Sequence, residues 1–101
     1  MAENDVMRIN SGNVEIVIYE HIGVLERRDN GWSLECNVVS WNGGTPKIDI
    51  REWSGDHQRM SRGLAITEVQ AEKLARALAD RYLQRSAKSR VTPPEKESLE
   101  R

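Results

Sequence analysis

Hydrophobic and polar residues alternate along four stretches of the chain, which is the pattern of β-strands that bury one face. These stretches cover residues 14–25, 32–41, 47–53 and 59–66. The segments between them are rich in turn-forming residues: Asp-Asn-Gly at 29–31, Asn-Gly-Gly-Thr-Pro at 42–46 and Ser-Gly-Asp-His-Gln at 54–58. Gly23, inside the first stretch, indicates a bulge or a sharp bend of the kind that a curved sheet requires. The pattern predicts four strands in chain order.

A helix is predicted directly after the fourth strand, over residues 68–84. Thr67 and Gln70 have the spacing of a capping box at its start. Apolar residues then recur every three or four positions, in a stripe formed by Ala71, Leu74, Ala75, Leu78 and Tyr82 and widened by Ala79 and Leu83. A stripe this wide suits packing on the chain's own sheet and on a second copy. The fold class predicted is α+β, in the order β-β-β-β-α.

The two ends of the chain lack these patterns. Residues 1–13 are polar and carry Ser, Gly and Asn, so we expect a flexible lead-in there. Residues 86–101 combine Pro93–Pro94 with mixed charges and few apolar side chains, which predicts a disordered tail. The folded domain is therefore expected to span residues 14–85.

The composition limits the classes of function. The chain has 101 residues, a formal net charge of −1 and a sequence pI of about 6.1, so any binding to phosphates must come from local clusters of cations. A single cysteine, Cys36, excludes an internal disulfide and a cysteine-based zinc site, and it is expected to act as a small buried hydrophobe. With no apolar run of about 20 residues and no signal-peptide pattern, a soluble cytoplasmic protein is expected.

Catalytic patterns are weak. The histidines are His21 and His57, and no metalloprotease, Ser/His/Asp or paired-carboxylate motif accompanies them. Asp56 is expected to cap its loop, with His57 partly exposed. Gly43 and Gly44 precede a strand rather than a helix, so they do not form a phosphate-binding loop. No enzyme, cofactor or metal site is predicted.

The third strand carries the strongest sign of a binding surface. Alternation places Lys47, Asp49, Arg51 and Trp53 on one face and Ile48, Ile50 and Glu52 on the other. Ile48 and Ile50 are expected in the core, together with the second-strand residues Leu34, Cys36 and Val38. The opposite face is then expected to be open and to expose Trp53 and, from the second strand, Trp41. Indoles beside cations suit the stacking of bases and the holding of phosphates, and duplex DNA hides its base faces, so the predicted ligand is single-stranded.

These residues also carry a family resemblance. The run VSWN at 39–42 followed by PKIDIREWSGDHQRMSRGLAIT at 46–67 resembles the transcriptional positive cofactor four family of single-stranded-DNA-binding proteins. The most specific pieces are I-D-I-R-E-W at 48–53 and the R-G-aliphatic-x-aliphatic-T stretch at 62–67. The likeness covers residues 18–83 and is strongest to the compact bacterial YdbC-like members.

The resemblance implies a curved four-stranded antiparallel sheet followed by one helix, with two chains packing through their helices as a homodimer. It also implies DNA binding with little sequence preference, in transcription regulation, replication or repair. By position, Trp41 and Trp53 correspond to stacking aromatics, and Lys47, Arg51 and Arg62 to cations on the DNA backbone. The predicted nucleic-acid-binding set is Trp41, Lys47, Arg51, Trp53, Arg59 and Arg62, and the predicted dimer contacts are Leu74, Leu78 and Tyr82.

Three other interpretations stay open at this point. Stacking alone does not separate single-stranded RNA from DNA. The same face also suits a protein-interaction module in which Trp41 and Trp53 are anchors. A small nuclease would need a divalent metal ion near Asp56.

Overall fold

The computed structural model describes residues 6–84 and contains an antiparallel sheet followed by a helical segment. The elements are β1 (Met7–Ser11), β2 (Val14–Arg27), β3 (Ser33–Trp41), β4 (Lys47–Trp53), β5 (Met60–Ile66), α1 (Glu68–Ala79) and a π-helical segment (Asp80–Gln84). Each strand pairs with its neighbours in the chain, in the order β1-β2-β3-β4-β5. The predicted α+β class is confirmed. The predicted tail at 86–101 lies outside the described residues.

The sheet has five strands, so the predicted count of four is wrong. The additional strand, β1, lies within the segment predicted to be a flexible lead-in, and it pairs with β2 so that Ile9 is opposite Ile16. Ile9 is the one buried residue of β1, at 2% exposure, while its other residues are exposed or half-buried. A strand that buries one side chain shows no alternation to detect, and β1 is held by its pairing with the adjacent β2.

β2 is bent by irregular pairing with β3. Its register shifts between Ile18 and Glu20, between His21 and Gly23, and between Val24 and Glu26. An extra residue at each of these positions bends the strand and increases its twist. The irregularity predicted from Gly23 is confirmed. We call the face of the sheet that carries the buried apolar cluster the inner face; its residues on β3 and β4 are Ser33, Glu35, Asn37, Val39, Trp41, Lys47, Asp49, Arg51 and Trp53.

The inner face carries the core. Its cluster of buried apolar side chains contains Ile9, Ile16, Ile18, Val39 and Trp53, with Val14, Trp41 and Met60 packed against it. On the opposite, outer face, the side chains of Leu34, Cys36, Val38, Ile48, Ile50 and Ile66 are only half-buried. Leu64, also on the outer face, is 57% exposed.

The predicted assignment of the faces is therefore reversed. Alternation correctly groups Asp49 with Trp53, but both are 0% exposed, whereas Ile48 and Ile50 are half-buried. The reason is long-range: β1 and the first half of β2 place their isoleucines on the face that carries Trp53. Alternation tells which residues share a face, and the pairing partners decide which face is covered.

The helix begins at Glu68, as the capping pattern predicts, and the helical segment reaches Gln84. Its apolar side chains are exposed: Val69 at 62%, Leu74 at 40%, Leu78 at 47% and Tyr82 at 61%. Within residues 6–84, no helix is long and apolar enough to cross a membrane.

Candidate nucleic-acid interface

Trp41 and Arg51 form the centre of the candidate interface. Trp41 ends β3 and Arg51 lies in the middle of β4, and both belong to the inner face. The guanidinium carbon of Arg51 lies 4.6 Å from the centroid of the Trp41 ring, which is the geometry of a cation–π contact. The exposed Lys47 is paired with Val39, two residues before Trp41 in β3. The sequence prediction that these three residues share one face is confirmed.

Arg51 is held firmly in place rather than free in solvent. Its Nε donates a hydrogen bond to Asp49 Oδ1 at 2.7 Å, and its Nη1 donates to the carbonyl oxygen of Ser61 at 3.2 Å. The Arg51 side chain is 13% exposed and the Asp49 side chain 0%. The positive charge of Arg51 is thus offset by a buried carboxylate beside it.

Gly63 makes room for this arrangement. It is paired with Arg51 across β4 and β5, and a Cβ placed at Gly63 would collide with the Cβ of Arg51 and the carbonyl oxygen of Ile50. Neither of these atoms is the far end of a flexible side chain, so a larger residue would force the two strands apart. The close approach of β5 gives a physical reason for the glycine at position 63 of the sequence motif.

Trp53 is a core residue. It is 0% exposed, and its ring lies 5.6 Å from the ring of His57 between centroids. Its indole Nε1 has no hydrogen-bond partner in the part of the chain that the structure describes. The expectation that Trp53 lies on an open face is wrong, and the buried ring offers no surface for a base in this structure.

A buried polar cluster surrounds Glu35 on the inner face. Glu35 is 4% exposed and accepts hydrogen bonds from Ser33 Oγ at 2.6 Å and Asn37 Nδ2 at 3.3 Å, while His57 Nε2 lies 3.0 Å from its Oε2. Burial alone would raise the pKa of Glu35, but the bonds from Ser33, His57 and Asn37 outweigh it and hold the pKa below its usual value. The carboxylate is therefore ionised at neutral pH.

The loop before β5 presents His57 to this cluster. His57 adopts a left-handed backbone conformation with φ of 59°, which is uncommon for a residue other than glycine. Asp56 stabilises the turn: its Oδ1 accepts hydrogen bonds from the backbone N–H of Gln58 at 3.0 Å and from Ser54 Oγ at 2.8 Å, and these bonds lower the pKa of Asp56. The predicted capping role of Asp56 is confirmed. Across residues 6–84, no three His, Cys, Asp or Glu side chains are grouped so as to hold a metal ion.

A groove of about 810 Å³ runs along the inner face beside this cluster. It is lined by Met7, Ile18, Tyr19, Glu20, His21, Val24, Arg27, Glu35, Asn37 and His57. Tyr19 is 46% exposed, so an aromatic ring is accessible in the groove. Asn37 is paired with Asp49, which places the groove on the strand next to the Asp49–Arg51 pair.

The remaining predicted residues lie on exposed surfaces. Arg59 precedes β5 and Arg62 lies within it, and both are exposed. Leu74, Leu78 and Tyr82 are exposed on the helical segment. Cys36 is half-buried, and burial together with the negative charge of Asp49 raises the pKa of its thiol, which opposes reactivity.

Sequence reasoning missed Glu35, Asn37 and Tyr19. For the first two a signal exists: Ser33, Glu35 and Asn37 are polar at every second position of a strand whose other residues are mostly apolar. A polar side chain at a buried parity indicates a network of hydrogen bonds. Tyr19 has no such signal, since it lies at the register shift between Ile18 and Glu20, where strict alternation fails.

Comparison with known proteins places these features in a family. Residues 28–77 match the family model described as Transcriptional Coactivator p15 (PC4), a segment that contains Trp41, Asp49, Arg51 and Gly63. A protein of Treponema pallidum (strain Nichols), described as uncharacterized, is 46% identical over 48 residues, which cover 48% of this chain and 56% of that protein. This chain thus spans little more than half the length of that relative. On the match over residues 28–77, the chain belongs to the PC4 family.

Proposed function

We propose that this chain binds single-stranded DNA without catalysing a reaction, and that the strand lies on the inner face of the sheet. The observation that carries the proposal is the half-buried Trp41, stacked with Arg51 and close to the exposed Lys47, in a member of the PC4 family. An aromatic ring beside cations binds bases without reading their sequence, because every base has a π-face. A role in transcription or a related process on DNA fits the family description.

We propose that the bound DNA strand continues from Trp41 into the groove. Trp41 and Asn37 are four residues apart on β3, or about 13 Å at ~3.3 Å per residue. Tyr19 lies at the groove and supplies the second stacking ring, in place of the buried Trp53. The groove volume of about 810 Å³ falls within the range of pockets that bind nucleotide-sized ligands.

Charge sets the salt dependence of this binding. The chain has a net charge of −1, so no overall field attracts DNA. Lys47 is an exposed cation on the inner face and Arg59 is exposed in the loop before β5, whereas Arg62 alternates with the inner-face Gly63 and lies on the outer face. Each phosphate contact on a single strand adds about 0.7 to the magnitude of the slope of log affinity against log salt concentration, so the contacts of Lys47 and Arg59 predict a small slope of about 1.4.

The test of the proposal is fluorescence anisotropy with a labelled oligothymidine of about 20 nucleotides, longer than the ~4–16 nucleotides that one such module covers. Trp41→Ala and Tyr19→Ala should each weaken binding by about 5- to 150-fold, because each removes one stacking ring. Tyr19→Phe is the matched control, since it keeps the ring and should bind as the unaltered protein does. A duplex of equal length should not compete.

Absence of binding at low salt would overturn the proposal. An oligouridine titrated in parallel distinguishes a single-stranded RNA binder from a DNA binder. Equal loss of binding by Tyr19→Phe and Tyr19→Ala would remove stacking as the mechanism, because the two variants differ only in the ring.

We also propose that the chain is a homodimer. Half-buried apolar residues cover the outer face, and Leu74, Leu78 and Tyr82 expose 40%, 47% and 61% of their surface on the helical segment. Exposed apolar surface on a chain of this size favours association with a second copy.

Light scattering should give a mass near twice the chain's 11.5 kDa. Leu74→Glu combined with Leu78→Glu should give the mass of one chain, because four carboxylates would face one another across the interface. The control is Lys73→Glu, which changes the net charge by the same amount without altering the apolar stripe. A single-chain mass for the unaltered protein at tens of micromolar would contradict the dimer.

A further inference from the structure

The geometry around Arg51 differs from that of an arginine presented to a phosphate. Its guanidinium donates to Asp49 at 2.7 Å and to the carbonyl oxygen of Ser61 at 3.2 Å, and it covers the Trp41 ring at 4.6 Å. Gly63 lies against its Cβ and Nε on the remaining side. Because only 13% of the Arg51 side chain is exposed, few of the guanidinium N–H groups that could bind a phosphate are accessible.

The charge of Arg51 is also compensated. Asp49 is 0% exposed, and it forms a salt bridge with Arg51 Nε at 2.7 Å. A phosphate approaching Arg51 would meet a pair whose net charge is zero. Such a pair releases no condensed counterions from the nucleic acid, because release requires an added positive charge.

The Asp49–Arg51 pair instead contacts the indole of Trp41, through the guanidinium of Arg51. Trp41 is the last residue of β3 and is half-buried against the apolar cluster, and the guanidinium of Arg51 adds a polar contact to its ring. A guanidinium stacked on one side limits the rotation of the ring about its side-chain bonds. Because Asp49 and Ser61 fix the guanidinium, they also fix one of the contacts that orient the indole.

We propose that Asp49 and Arg51 form a neutral pair that positions Trp41 for stacking, and that Arg51 makes no phosphate contact. This inference rests on the proposed function and departs from the role that the family resemblance implies for Arg51. Asp49 and Arg51 are positioning residues that act through Trp41. The cation that meets the phosphates at this end of the inner face is Lys47.

Three variants test this by the slope of log affinity against log salt concentration. Asp49→Asn combined with Arg51→Gln replaces a neutral pair with a neutral pair of similar shape, so we expect binding about tenfold weaker with an unchanged slope. Lys47→Gln should flatten the slope by about 0.7, as the loss of one phosphate contact requires. Asp49→Asn alone leaves the charge of Arg51 uncompensated and should steepen the slope by about 0.7.

The result that overturns the inference is a slope for the paired variant that is flattened as much as that of Lys47→Gln. Unchanged affinity of the paired variant would equally overturn it, because the indole would then need no positioning. Either outcome leaves single-stranded DNA binding by the unaltered protein intact, so the inference and the proposed function fail separately.

A second readout needs no ligand. The indole ¹H–¹⁵N resonance of Trp41, assigned with Trp41→Phe, should move in the paired variant and stay in place in Lys47→Gln. The resonance of Trp32, which precedes β3 and is not among the residues paired with Asp49 and Arg51, serves as the check that both variants are folded. If the unaltered protein binds no oligonucleotide, a moved Trp41 resonance still supports the positioning contact, and an unmoved one excludes it.

Discussion

Trp53→Ala should lower the free energy of unfolding by about 3–5 kcal/mol, the usual loss when a large buried aromatic side chain is removed. Trp53 is 0% exposed and belongs to the one apolar cluster found among the described residues, with Ile9, Ile16 and Val39. The substitution would also remove the contact between the Trp53 and His57 rings, whose centroids lie 5.6 Å apart. Because small domains are stable by only about 5–15 kcal/mol, a large part of the stability would be lost.

Denaturation in urea, followed by far-ultraviolet circular dichroism, measures this loss. Trp53→Phe should recover about half of it, since it refills much of the cavity. Trp41→Ala is the comparison: Trp41 is half-buried, so it should cost less stability and more affinity for single-stranded DNA. A Trp53→Ala protein with an unchanged unfolding midpoint and weakened binding would restore Trp53 to the binding surface.

The contrast between Trp53 and Trp41 shows how far the sequence determines this fold. Alternation correctly groups Lys47, Asp49, Arg51 and Trp53, and the turn residues correctly separate the strands. Which face of the sheet is covered depends on β1, whose Ile9 lies opposite Ile16 and belongs to the same cluster as Trp53. The sequence of β1 shows no periodicity. Burial is decided by contacts between distant parts of the chain, and a local pattern carries no information about them.

The candidate site shows a similar division. The association of Trp41, Lys47 and Arg51 follows from strand parity and was predicted. That Arg51 is clamped by Asp49 could not be predicted, because a charged pair at alternate positions of a strand is also typical of a solvated surface. Only the exclusion of solvent from Asp49 turns the same two residues into a buried ion pair.

The Asp49–Arg51 pair leads to a second large effect on stability. Arg51→Ala removes the salt-bridge partner of a carboxylate that is 0% exposed and whose Oδ2 has no hydrogen-bond partner within residues 6–84. A buried charge left without its partner typically costs about 3–5 kcal/mol, so we expect a loss of this size in the free energy of unfolding. Lys47→Ala, on the same strand but exposed, should change it by less than about 0.5 kcal/mol.

Restoring neutrality should restore most of the stability lost in Arg51→Ala. Asp49→Leu combined with Arg51→Met replaces the ion pair with apolar side chains, a change that is often neutral or stabilising for buried pairs. Urea unfolding of both variants beside Lys47→Ala separates the two causes, because the single variant leaves a buried charge and the paired variant does not. If Arg51→Ala were as stable as Lys47→Ala, Asp49 would have to be solvated. The expected loss also means that weak DNA binding by Arg51→Ala would partly reflect unfolding, whereas the paired neutral variants isolate the contribution of Arg51 to Trp41.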